Sequence, residues 1–108
     1  MNFTVNNQEW KLIFVKPNSR NLMRSNGSIT IGMTDNNTKT VYINNRLNSS
    51  MTDKVICHEL AHVFAFEFDY FMSLETEEIV ADFMSLYGRD IVYLLDDLVG
   101  ILKKAYIA

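Results

Sequence analysis

At 108 residues, with 48% hydrophobic and 21% charged side chains and a net charge of −3, the chain has room for one hydrophobic core and little beyond it. That net charge and the scatter of its ten Lys and Arg argue against the clustered positive surface that phosphate binding requires, so no nucleic acid partner is expected. A single cysteine, Cys57, excludes an internal disulfide, and no run approaches ~18 consecutive apolar residues, so no membrane span is expected. The first ten residues lack the basic and apolar regions of a secretory signal. The chain therefore reads as cytoplasmic, with a cysteine usage that fits a bacterial or phage protein. No repeat or Pro/Gly/Ser linker divides it, so residues 1–108 read as a single compact domain.

The first half reads as strands. Trp10, Leu12 and Phe14 alternate with Lys11, Ile13 and Val15, the period of a strand, which Pro17-Asn18-Ser19 ends. After the Asn26-Gly27 turn signal, Ile29, Ile31 and Met33 alternate with Thr30, Gly32 and Thr34. Asp35-Asn36-Asn37 then leads into a second β-rich run, Thr38 to Ile43, so 28–43 reads as an antiparallel hairpin. The pairs Asn6-Asn7, Asn36-Asn37 and Asn44-Asn45 read as turn chemistry.

The second half reads as helices. Ser50, with Asp53 three residues on, suits an N-cap for a helix over 51–68. A second helix is expected over 75–87, stopping at Gly88. A third starts at Asp90, with Ile91, Leu94, Leu95, Leu98, Ile101, Leu102 and Ala105 as its apolar stripe, acids early and lysines late. The fold class is thus α+β: a small antiparallel sheet of about three strands, packed by an active-site helix, a glutamate helix and a C-terminal helix. Phe64, Phe66, Phe68, Tyr70 and Phe71 are expected in the core.

The chemistry sits in His58-Glu59-Leu60-Ala61-His62. At about 100° per residue, His58 and His62 lie about 40° apart and one turn apart in height, so two imidazoles can converge on one ion. Glu59 can then act as general base without being a ligand. HExxH alone is short and also arises in helices that bind nothing, so the rest of the site matters. A catalytic zinc takes three protein ligands and keeps an open position. With no third histidine, the third ligand is an acid or Cys57, and Cys57 points about 100° away from His58, which suits a small buried packing residue better. Acids cluster in the next helix at Glu75, Glu77, Glu78 and Asp82. Glu78 and Asp82 share a face, which suggests Glu78 as the ligand and Asp82 as the acceptor for the outer nitrogen of a ligating histidine. Glu77 and Glu75 are its rivals. Opposite them, Ile79, Val80, Phe83 and Leu86 are expected to pack on the first helix and the sheet.

HELAH followed by Glu78-Ile-Val-Ala-Asp82 resembles the gluzincin metallopeptidases, and most closely the compact ImmA/IrrE-type peptidases and minigluzincins. Val41-Tyr-Ile-Asn-Asn-Arg-Leu47 also resembles their approach to the active-site helix, and the likeness covers residues 38–88. The resemblance implies a zincin-like fold, Zn2+ on His58, His62 and Glu78, Glu59 as base with Asp82 behind, and hydrolysis of a peptide or protein substrate. It also implies that the strand around Thr38–Ile43 pairs with an extended substrate. Ala61 and Cys57 depart from the usual glycine and alanine, and no helix-turn-helix or sensor segment accompanies the motifs. No further histidine is available for the oxyanion, which leaves Tyr70, Tyr87 or Arg89. Asn44, just ahead of the helix, is a candidate substrate contact. An alternative is a zinc-binding interaction or regulatory module with a peptidase-like site and little turnover; a closed structural site lacks enough ligands.

Overall fold

The computed structural model describes residues 1–107. Strands β1 (Asn2–Val5), β2 (Gln8–Val15), β3 (Gly32–Asp35) and β4 (Thr40–Asn44) precede helices α1 (Ser49–Glu67) and α2 (Leu74–Ile107). The class is α+β as expected, but the sheet has four strands and is mixed, in the order β1-β2-β4-β3. β1 and β3 run antiparallel to their neighbours, whereas β2 and β4 are parallel. The long segment between β2 and β3 makes that parallel pairing possible. It folds on itself through a 3-10 turn at Arg20–Leu22, whose Leu22 is fully buried, and returns the chain to the sheet at β3. β1 gave little signal because it is four residues long and buries only Val5.

Asparagines make the turns. Asn6 and Asn7 adopt φ of 49° and 63°, the left-handed pair that matches strand twist in a two-residue hairpin. The Asp35 carboxylate accepts the Asn37 N–H at the β3–β4 turn, and the Asn44 side chain accepts the Arg46 N–H at 2.8 Å. β3 and β4 form the expected hairpin, begun at residue 32 because Ile29 makes only an isolated bridge to Met23.

Trp10, Leu12, Val41 and Ile43 on one sheet face pack against Val55 and Val63 of α1. The C-terminal end of α1 is pinned to the same face. Trp10 Nε1 donates to Glu67 Oε1 at 3.1 Å, Lys39 pairs with that carboxylate, and Asn6 Nδ2 donates to the Glu67 carbonyl. At the other end, the N-cap is Asn48 rather than Ser50: its Oδ1 accepts the Met51 N–H at 2.8 Å from an extended backbone, so the helix starts a half-turn earlier.

A short reversal returns α2 antiparallel along α1. Asp69 takes a left-handed conformation (φ 49°), and the Ser73 hydroxyl accepts the Thr76 N–H to open α2. α2 then runs unbroken through Gly88, so the second and third expected helices are one. A glycine costs a helix only about 1 kcal/mol, and this one is buried beneath the Met84 side chain. Among the described residues no helix is long and apolar enough to cross a membrane.

Two packing expectations are overturned. Ile79, Val80, Phe83 and Leu86 are exposed; the side of α2 that is covered carries the small residues Ala81, fully buried, and Ser85, half-buried. Phe64, Phe66, Phe68, Tyr70 and Phe71 are likewise exposed, with Phe64 and Phe68 stacked on the outside of α1 one turn apart.

Candidate metal centre

The antiparallel α1–α2 pair sets His58 and His62 opposite Glu78. The two Nε2 atoms are 3.3 Å apart, Glu78 Oε1 lies 2.9 Å from His62 Nε2, and Glu78 Oε2 lies 3.3 Å from His58 Nε2. One ligating atom from each of the three falls within 4.8 Å of the others. Asp82 Oδ1 sits 3.0 Å from His58 Nδ1 and can accept its proton, which leaves Nε2 as a bare lone pair aimed at the common point. Three electron-rich donors so close repel one another unless a cation or shared protons lie among them, and two imidazoles with one carboxylate suit a divalent transition metal. Glu77 is not in that set. Its Oε1 is 3.7 Å from His62 Nδ1, so it stands behind His62 as Asp82 stands behind His58, at longer range. Glu75 does not line the cleft.

Glu59 faces the same cleft from one residue along and is only 6% exposed. Thr34 of β3 donates to Glu59 Oε1 at 2.9 Å, and the Glu59 backbone carbonyl is 3.2 Å from the same hydroxyl. Its Oε2 lies 3.9 Å from His58 Nε2. Burial raises the carboxyl above its ordinary range; the Thr34 hydrogen bond and then His58 and His62 act the other way, and Glu78 adds to the rise.

Gly32 makes this proximity possible. A Cβ there would come within 2.6 Å of Val55 Cγ1 and 3.1 Å of Glu59 Cγ, so a side chain at 32 would push β3 off α1. Neither Thr34 nor Gly32 stood out as a site residue in the sequence. The glycine interrupting an alternating strand was the available signal, because such a residue often marks a close backbone approach.

The cleft holds about 720 Å³ and is walled by β3, α1, the start of α2 and the loop after β2. Met33, Met51 and Phe66 give it apolar surface, and Arg24 and Lys54 bring positive charge. Tyr70, Tyr87, Arg89 and Asn44 do not line it. Tyr70 is exposed, the Tyr87 ring tilts against Phe83, Arg89 pairs with Asp53 at 3.2 Å, and the Asn44 side chain is taken up by its own turn. Cys57 is half-buried and its thiol donates to the Met84 carbonyl at 3.3 Å, joining the two helices outside the donor set.

The family model of the IrrE N-terminal-like domain, a peptidase family designated M78, matches residues 13–93. The chain belongs to that family. The matched IrrE-like span begins in β2, takes in both sides of the cleft and ends in α2 soon after Gly88, so it contains every residue of the donor set. No curated protein and no solved structure matches the chain. Membership of an IrrE-like peptidase family agrees with a metallopeptidase-like function and with a site where His58, His62 and Glu78 could hold a metal.

Proposed function

We propose that this chain is one zinc-dependent peptidase unit, with His58, His62 and Glu78 as protein ligands and Glu59 as general base. The observation that carries it is the convergence of three lone-pair donors beside a buried carboxylate on one cleft wall. Zinc is the proposed ion because two imidazoles and a carboxylate with an open position are its usual catalytic set. Once bound, it would supply Lewis acidity, polarising a scissile carbonyl and easing deprotonation of water.

The chain's own residues supply the rest. Thr34 fixes one oxygen of Glu59 and leaves the other on the His58 side of the cleft. A carboxylate made more basic by burial takes a proton more readily than a solvated one. Asp82 holds the His58 tautomer. The proposed substrate is an extended segment of peptide or protein. β4, around Thr38–Ile43, is flanked by β2 and β3 on its two sides, so it has no edge to offer. Of the two edge strands, β1 and β3, it is β3 whose Gly32, Met33 and Thr34 line the cleft, which makes β3 the strand for a substrate to follow.

Bound metal measured on wild type and on His58→Ala, Glu78→Ala and Glu75→Ala tests the ligand set. One zinc per chain, lost from the first two variants and kept by the third, is the expected result; no uptake by wild type at neutral pH would sink the reading. Glu59→Gln is expected to keep the zinc and lose turnover by ~10² or more. A second reading, a metal-holding regulatory module with little turnover, has one observation in its favour: Tyr70, Tyr87 and Arg89 all lie off the cleft. A partner bound but left uncut by wild type and Glu59→Gln alike would support it.

A further inference from the structure

Beyond Arg89, which still pairs with Asp53 of α1, α2 projects from the rest of the fold, and the molecule reaches 59 Å along its longest axis. Every residue described from 89 to 105 is exposed except Val99, which is half-buried, although the segment is rich in Leu and Ile. Ile91, Leu94, Leu98, Ile101 and Ala105 recur at steps of three and four, the seven-residue period by which one helix seats against another. A projecting helix with half-exposed Leu and Ile along one stripe is marginal alone in water and needs a cover.

The charges indicate what covers it. Asp97 and Lys104 flank the stripe on the same side, one heptad apart. Neither forms an ion pair among the described residues, and neither has an opposite charge three or four residues away on its own helix. When two such helices run antiparallel, these flanking positions face each other across the seam. We propose that the projecting half of α2 pairs antiparallel with the same segment of a second copy, about a two-fold axis level with Gly100. In that register Leu98 packs on the partner's Ile101, Leu94 on the partner's Ala105, and Asp97 meets the partner's Lys104 twice over, once on each side of the axis. Asp96 and Lys103 point to the opposite side of the helix and stay in solvent. Only the free halves overlap, so the two cleft-bearing ends lie apart and neither has to rearrange. This pairing does not depend on the peptidase reading.

Light scattering on the eluting protein across a wide range of concentration tests it, with circular dichroism to show that each variant keeps its helix. Wild type is expected to approach twice the chain mass as concentration rises, and Leu98→Lys to remain a monomer. Asp97→Lys and Lys104→Asp should each weaken association about tenfold, because two attractions become two repulsions, and the double swap should restore it. A wild-type monomer at every concentration overturns the proposal. So does a dimer indifferent to Leu98→Lys, or one in which the charge swaps fail to compensate.

Discussion

The two halves of α2 both carry an apolar stripe and have different surroundings. From Leu74 to Gly88 the helix is held by small residues: Ala81 is 0% exposed against α1, while the large Phe83 and Leu86 face water. Beyond the Arg89–Asp53 pair every described residue but the half-buried Val99 is exposed, and the apolar stripe simply continues. The stripe runs without a break through Val80, Met84, Tyr87 and Ile91, each 38–52% exposed. Amphipathicity therefore marks the wrong side of this helix for its own fold. Close approach, not apolar bulk, brings Glu78 to the two histidines.

The largest expected effect comes from attacking that close approach. Ala81→Leu should cost roughly 1–3 kcal/mol by overpacking and pull Glu78 from the imidazoles, so zinc affinity should fall with stability in a titration and a thermal melt. Gly32→Ala applies the same logic from the strand side. Its added Cβ meets Val55 Cγ1, a β-branched side chain that cannot swing away, and about 1–2 kcal/mol of destabilisation is expected. Asp82→Asn leaves packing alone and removes the anionic acceptor behind His58. About a tenfold loss of metal affinity is expected, the low end for such a partner, because the Asp82 side chain is 70% exposed.

Glu59→Gln probes the buried carboxylate in the metal-free protein. The folded state raises the Glu59 pKa, so the charged form costs stability at pH above the folded value, and that cost vanishes as pH falls below the ordinary carboxylate range. The variant should thus melt a few degrees higher than wild type near neutral pH, with the gap closing in acid; an equal gap at all pH would show that ionisation is not its source. The smallest effect belongs to the projecting half: Leu94→Ala should shift the melt of dilute protein by under ~0.5 kcal/mol. A larger loss would mean that this stripe is packed within the chain, which would erase the contrast between the halves.

Much of the site was legible because its chemistry is periodic. The four-residue steps from His58 to His62 and from Glu78 to Asp82 are facts of one-dimensional spacing, and the helix converts them directly into faces. Glu77 was harder to place: acids at 75, 77 and 78 differ only in rotation, which depends on how α2 is turned against α1. The strands were legible where they alternate, as in β2, and illegible where they are short, as in β1. The parallel pairing of β2 with β4 depends on a 16-residue irregular connection (Lys16 to Ile31) that no local pattern encodes. The packing side of α2 misled for the reason given above: small residues carry no hydrophobic signal.

The reversal at Asp69–Ser73 has a consequence for the order in which this molecule assembles. All three proposed ligands lie within residues 58–78, on two helices joined by a handful of residues, so closing them around an ion spans a short loop and little chain entropy is lost. The sheet, by contrast, needs β2 to find β4 across a long connection. A metal bound in this hairpin would act as a clip on a local, fast-forming unit. Chelation is then expected to loosen α2 from α1 while the sheet and its Trp10 core stay folded, a two-step unfolding visible as separate losses of helix signal and of indole burial.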